Sequence, residues 1–251
     1  MPRIVQAALR RAVTVPSGVI HAHVASVRRR NPEANPAQVV ALLEREYLRV
    51  VAGTGGAVGA AAAAPAVGTG VATALTISDV ATFFAASASF SLAVASVHGI
   101  QVDDVPRRTT LLLATILGES GVRMVGDSAQ ISAVHVGRAM LTRMPTGTIR
   151  AVNTTLTRRL VRTQATRHGG LALGRLAPFG IGAVIGLTGG RALGRTVVAG
   201  ARAAFGPAPA SFPAELEVVG PGGVARLERA PGPESAGTTA IREITEGPHR
   251  R

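Results

Sequence analysis

LALGRLAPFGIGAVIGLTGGRALGRTVVAGARAAF, residues 171–205, is the stretch of this chain that decides its fold. Glycine recurs at every fourth residue from 170 to 194, and Pro178 takes the one missing slot. On a helix this spacing places the glycines near one face, where a second helix backbone can approach closely. The predicted partner is the small-residue run GTGGAVGAAAAAPAVGTG, residues 53–70. The glycines expected at this contact are Gly55, Gly59, Gly182, Gly186, Gly190 and Gly194.

The composition favours a core of small aliphatic side chains. Cysteine and tryptophan are absent, and Tyr47 is the one tyrosine among 251 residues. The absence of cysteine excludes disulfides, thiolate metal sites and cysteine nucleophiles. All 27 basic residues are arginine, which together with abundant alanine, glycine and proline is typical of a GC-rich bacterial genome, of actinobacterial type.

The positive charge is unevenly distributed along the chain. The formal net charge is +13, and the segments 1–30 and 138–202 contain arginine but no acidic residue. Such a surface attracts anionic lipid, nucleic acid or an acidic protein, and charge alone does not choose among them. The N-terminus lacks the features of a signal peptide, which predicts a cytoplasmic location, free or at the inner face of a membrane.

Hydrophobic periodicity predicts an all-α protein, a helical bundle with glycine-zipper-like packing and a disordered C-terminal tail. Helices are predicted at 3–13, 17–29, 36–52, 80–97, 106–117, from 120 or 128 to 143, at 147–165, and from Pro178 to Phe205. Asn35 and Pro36 suit the N-cap and first position of the third helix. The chain then divides into a basic helical segment 1–35, a helical domain 36–205, and a largely disordered tail 206–251 with a short extended piece at 216–219.

Two uncharged stretches are candidates for membrane contact. Residues 50–78 are long enough to span a bilayer but are mostly glycine and alanine, with a turn predicted from Pro65 to Gly70. Residues 80–97, VATFFAASASFSLAVASV, either cross a membrane or form a helix buried in a protein core. Asp79 lies between them, and we expect it to cap the second helix rather than to act as an acid inside a span.

The motif DDVPRR, residues 103–108, predicts the start of a helix. An aspartate before Val105-Pro106 suits the N-cap of the apolar helix that follows. Arg107 and Arg108 are expected on its exposed first turn, at the level of the lipid headgroups together with Arg45 and Arg49.

The segment 147–165 is predicted to be a basic amphipathic helix. Its apolar stripe consists of Ile149, Val152, Leu156 and Leu160. The arginines off this stripe are Arg150, Arg158, Arg159 and Arg162. Such a helix either lies on an anionic membrane with its apolar side down or packs in a bundle with a solvated arginine face, and the second arrangement is the commoner one.

No sequence pattern points to catalysis, and we expect no catalytic residue, cofactor site or metal site. The glycines from Gly53 onward follow a predicted helix rather than a strand, and the chain has no lysine for a phosphate loop. His21 and His23 would point roughly 200° apart on a helix, which does not suit a shared metal ion.

Two stretches resemble the EcsC family. One runs from the small-residue run 53–70 to LAVASVHGIQVDDVPRRTTLLLATILGES, residues 92–120; the other is HGGLALGRLAPFGIGAVIGLTGGRALGR, residues 168–195. The likeness covers residues 36–205, with Gly189-Gly190 where family members often have asparagine. The resemblance implies a helical protein tied to bacterial membranes, since the family takes its name from a protein associated with an ABC transporter. It implies no catalytic residue.

These observations predict a membrane-associated helical protein with an interaction or accessory role, or a link to a membrane transporter. Residues 50–97 would pack against residues 179–205 at the cytoplasmic side of a bacterial inner membrane, peripherally or integrally. An anionic lipid surface is the expected partner, and a protein partner is open. The alternative is a soluble basic helical bundle that binds nucleic acid or an acidic protein.

Overall fold

The structure, a computed structural model, describes residues 2–62, 69–130, 136–175, 181–223 and 225–230. Side chains are described for residues 5–57, 78–130, 136–163, 187–223 and 225–230. The chain is 76% helical, and the described part forms nine helices and a three-stranded sheet. The largely helical fold is therefore confirmed, whereas the sheet was not predicted.

The elements follow one another in a simple order. The helices are α1 (Pro2–Ala12), α2 (Ser17–Arg30), α3 (Pro36–Ala62), α4 (Thr69–Val97), α5 (Val105–Ile116), α6 (Glu119–Ala129), α7 (Val136–Thr142), α8 (Thr146–Arg175) and α9 (Ile181–Phe205). The strands are β1 (Ile100–Val102), β2 (Glu215–Val219) and β3 (Ala225–Arg229). The one helix predicted up to residue 143 is thus two helices, α6 and α7.

Several helix ends are set by local sequence, as predicted for Asn35. Asn35 Oδ1 accepts a hydrogen bond from the backbone N–H of Gln38 at 2.9 Å, and Gln38 Oε1 accepts one from the N–H of Asn35 at 2.8 Å. This reciprocal pair is a capping box at the start of α3. Gly99 and Gly206 follow α4 and α9 with φ values of +79° and +69°, which a glycine adopts without strain.

Helix α4 begins earlier than the predicted residue 80, which corrects the assignment of Asp79. Helix α3 continues through Gly53 to Ala62, and α4 already begins at Thr69. Asp79 therefore lies inside α4 and does not cap it. The small residues before Asp79 continue the helix because no proline interrupts them after residue 69. The predicted turn from Pro65, and Pro178 before α9, lie outside the described residues.

Helices α3 and α9 make the most extensive helix–helix contact of the described elements. A Cβ atom at Gly190 would collide with the carbonyl oxygen of Val51, and one at Gly194 would come within 2.8 Å of the Leu48 and Val51 side chains. The two backbones approach this closely because glycine leaves room for them. Gly55 is buried in α3. The surroundings of Gly59, Gly182 and Gly186 lie outside the described residues.

Part of the predicted tail is folded. Strand β2 pairs in parallel with β1, with Ile100 opposite Glu217, and β3 pairs antiparallel with β2. Val218 and Val219 are fully buried. The prediction of disorder excepted residues 216–219, and it is wrong for Pro221–Gly223 and β3. The backbone of β2 pairs with the edge that β1 offers, and β3 pairs with β2 in turn. The predicted extended piece 216–219 is confirmed as part of β2, and residues beyond 230 are not described.

Candidate functional site

Arg107 is buried at the start of α5, contrary to the prediction of an exposed first turn. Its side chain is 3% exposed, and its guanidinium donates hydrogen bonds to the carbonyl oxygens of Met140 at 2.8 Å, Leu141 at 2.9 Å and Met144 at 2.6 Å. These carbonyls belong to the end of α7 and the residues after it, where helical hydrogen bonding leaves acceptors unsatisfied. Arg107 therefore caps the C-terminal end of α7 by satisfying its free carbonyl oxygens.

Asp104 connects the start of α5 to the turn between β2 and β3. Its Oδ1 accepts a hydrogen bond from the backbone N–H of Arg107 at 2.9 Å, which confirms an aspartate as the N-cap of α5. Its Oδ2 accepts one from the N–H of Gly222 at 2.9 Å, in the turn between β2 and β3. Burial lowers the pKa of Arg107, and the charge of Asp104 partly opposes that effect.

Arg108 is buried as well, and it joins the N-terminal helices to α5. Its acceptors are the carbonyl oxygens of Val13, Val15 and Val102, the hydroxyl of Ser17 and the carboxylate of Asp103. Both arginines thus bind groups inside the fold, and neither lies where a lipid headgroup could reach it. Both arginines were predicted to be exposed because arginine is seldom buried without partners. Most of their partners come from distant segments, which a local sequence pattern does not show.

The arginines of α8 lie on its exposed face. Its apolar stripe, from Ile149 to Leu160, is fully buried and faces the core, where α8 packs against α5. The predicted periodicity is confirmed, and of the two arrangements the packed helix is the observed one. The exposed arginines are Arg150, Arg158, Arg159 and Arg162. Arg150 and Arg158 form no ion pair with any described residue, so their positive charge faces solvent.

Helices α3 and α9 end their charged portions at a similar level. On α3 the last charge is Arg49, and on α9 the first is Arg191, next to the Gly190 that contacts Val51. The Tyr47 hydroxyl lies 2.8 Å from Ser87 Oγ, which fixes the level of α4 against α3. Asp79 precedes Ser87 by about two helical turns.

Beyond Arg49 and before Arg191, α3 and α9 carry no charged residue, whereas α4 carries Asp79. The uncharged parts are 50–62 of α3, 69–78 of α4 and 181–190 of α9. The last part of α8, residues 164–175, carries basic residues and no acid. Exposed Arg49, Arg191 and Arg195 lie at the border. The described fold therefore gathers three uncharged helix segments at one end and borders them with arginine.

One helical stretch among the described residues, Ser78–Val97, is long and apolar enough to cross a bilayer, with a mean hydropathy of 1.8. Of this stretch, 56% is buried inside the protein. Helices α1, α2, α3, α5 and α9 pack around α4. A core helix with this burial passes the same length test without entering lipid.

The acidic and histidine residues do not form a metal site within the described parts of the chain. No group of three or more histidine, cysteine, aspartate and glutamate side chains lies close enough to hold an ion there. His23 on α2 faces Glu46 on α3, with Nε2 and Oε2 separated by 3.5 Å. Neither this pair nor the border at Arg49 and Arg191 was identified from the sequence. The border could have been found by aligning the charge-free runs of α3 and α9.

Comparison with known proteins adds no assignment. No family model, no curated protein and no solved structure matches this chain.

Proposed function

We propose that this protein binds an anionic membrane surface with the uncharged end of α3, α4 and α9, in an interaction or accessory role and not as an enzyme. The observation that carries the proposal is the shared border at Arg49 and Arg191, beyond which α3 and α9 have no charge and α4 has one, Asp79. Uncharged helix ends can enter the boundary between headgroups and acyl chains, while arginines at the border bind phosphate. The arginine face of α8 adds longer-range attraction to anionic lipid.

The lengths favour shallow insertion over a complete crossing. Residues 50–62 of α3 extend about 20 Å at 1.5 Å per residue, less than the ~30 Å of a bilayer core. Ser78–Val97, which is long enough, belongs to a helix that is packed against five neighbouring helices. A protein that inserts only its end would keep that core in water and bind as a peripheral protein.

The resemblance to the EcsC family supports the cytoplasmic face of a bacterial inner membrane as the location. It also supports accessory work beside a membrane transporter as the role. Binding of nucleic acid or of an acidic protein by the arginine face is the competing function. The grouping of uncharged helix ends beside the arginines favours lipid, because a phosphate backbone alone would not require an apolar end.

The proposal is tested by sedimenting the full-length protein with vesicles of phosphatidylglycerol and phosphatidylcholine. Ala57 is an exposed residue of the uncharged part of α3, and Ala37 is an exposed residue at the opposite end of the same helix. We expect Ala57→Glu to weaken vesicle binding at least tenfold, because it places an unpaired carboxylate against anionic lipid. Ala37→Glu, the matched control, should bind like the wild type.

Equal binding by Ala57→Glu and the wild type would show that the uncharged end is not the contact. A wild-type protein that ignores anionic vesicles but binds duplex DNA with a steep salt dependence would replace the proposal with the nucleic-acid function. Retention on native membranes through alkaline carbonate, rather than release by it, would contradict shallow insertion.

A further inference from the structure

A cavity of about 310 Å³ opens between α2, α3 and α4. Helix α2 contacts α4 more extensively than it contacts α3, so a cleft remains along the α3 side. This volume lies at the lower end of the range of small-molecule pockets. The residues that line the cavity include none of the arginines that border the uncharged helix ends.

The walls of the cavity are apolar. Ile20, Leu43 and Ala86 line it from three different helices, and the rings of Tyr47 and Phe90 stack with their centroids 4.7 Å apart and their planes 13° apart. The Tyr47 hydroxyl is occupied by the buried hydroxyl of Ser87 at 2.8 Å, and burial raises the pKa of Tyr47. Apart from His23 and Glu46, Ser89 adds one polar side chain to the lining, fewer than the two to four polar partners that an ordered water needs. The cavity therefore favours an apolar occupant.

The polar groups are concentrated at the mouth. His23 and Glu46 face each other across it, with 39% and 43% of their side chains exposed. The exposed side chains of Val19 and Val50 form an apolar lip beside them. A ligand that enters the cavity would therefore meet the Glu46 carboxylate at this mouth.

We infer that this cavity binds a single-chain amphiphile with a protonated amine head. The apolar chain would lie against the Tyr47 and Phe90 rings, and the ammonium would donate hydrogen bonds to Glu46. The cavity has room for about ten methylene-sized groups if each takes the ~30 Å³ of one water molecule in the liquid. A carboxylate head would be repelled by Glu46, and the chain's net charge of +13 gives an ammonium no general attraction to the protein. The site does not depend on the proposed membrane function.

Decylamine is a suitable probe, used below its micelle concentration, at pH 8 and without vesicles. Tyr47 is the only tyrosine and the chain has no tryptophan, so tyrosine fluorescence reports on this cavity alone. We expect a saturable fluorescence change with decylamine and at least tenfold weaker binding of decanoate. Calorimetry should give the same dissociation constant.

Two variants and a control assign the binding to the cavity. Ala86→Leu adds three carbon atoms to the wall and should weaken decylamine binding at least tenfold, whereas Ala151→Leu on the exposed face of α8 should leave it unchanged. Glu46→Gln should abolish the preference for decylamine over the neutral decanol. Because Glu46 is half exposed and the change is isosteric, this variant keeps the test valid even if Ala86→Leu does not fold.

The inference is overturned if the wild type shows no saturable decylamine binding. It is also overturned if decanoate binds as tightly as decylamine with equal sensitivity to Ala86→Leu, or if Glu46→Gln keeps the full amine preference.

Discussion

The arginines at the start of α5 and those of α8 occupy opposite environments. Arg107 is 3% exposed and donates three hydrogen bonds to carbonyl oxygens, whereas Arg150 and Arg158 lie on an exposed helix face without an ion pair among the described residues. The sequence shows the same residue type beside an apolar helix face in both places. The comparison teaches that the partners of an arginine, more than its neighbours in the chain, decide whether its charge stabilises the fold or attracts a ligand.

The two environments differ in energy for a physical reason. A buried guanidinium has lost its hydration, and its carbonyl partners have lost theirs, so removing the arginine leaves buried acceptors unsatisfied. An exposed arginine keeps its hydration whether or not a neighbour is present, and its contribution to folding is small. Changes at the two sites should therefore have very different effects on stability.

The largest expected effect is that of Arg107→Ala. It should lower the free energy of unfolding by about 3–5 kcal/mol, because three buried carbonyl oxygens at the end of α7 lose their donor. Urea denaturation followed by circular dichroism measures the change. The control, Arg150→Ala, should stay within ~0.5 kcal/mol of the wild type. Similar losses of unfolding free energy in both variants would mean that the buried hydrogen bonds of Arg107 do not stabilise the fold more than the exposed Arg150 does.

Gly189 and Gly190 of α9 also differ in their surroundings, although they are neighbours in the chain. A Cβ atom at Gly190 would strike the Val51 carbonyl oxygen, whereas one at Gly189 would have nothing within 4 Å. We expect Gly190→Ala to lower the free energy of unfolding by about 1–3 kcal/mol through overpacking. Gly189→Ala should instead raise it by about 0.5–1 kcal/mol, because alanine favours the helix.

Thermal and urea unfolding of the two alanine variants, measured side by side, test this pair. Equal effects of the two substitutions would show that α3 and α9 are not in close backbone contact.

The helices and several of their ends could be predicted from local sequence, because capping and periodicity act within a few residues. The capping box at Asn35 and the apolar stripe of α8 are of this kind. The burial of Arg108 could not, because its acceptors Val13 and Val102 come from other elements. Strand β2 was only partly predicted, since the edge that it covers lies more than 100 residues earlier in the chain.

The candidate surface was predicted unevenly for the same reason. The exposed arginines of α8 follow from a local pattern, and the structure places them as expected. The alignment of Arg49 with Arg191 depends on the register of α3 against α9, which the glycine spacing alone leaves open. The cavity beside Tyr47 depends on the angle between α2 and α3, which no local pattern sets.

The smallest expected effects are those of single arginine substitutions in α8 on vesicle binding. They should depend on the distance of each arginine from the proposed membrane contact. Helix α8 runs toward the start of α9, so Arg162 lies nearer the uncharged end than Arg150 by about 18 Å along the axis at 1.5 Å per residue. That separation exceeds the Debye length of about 8 Å at physiological salt. Arg162→Gln should therefore weaken binding to phosphatidylglycerol vesicles by about fivefold, close to 1 kcal/mol, and Arg150→Gln by less than twofold. Sedimentation at 0.15 M salt separates these values, and a larger loss for Arg150→Gln would move the contact to the opposite end of the molecule.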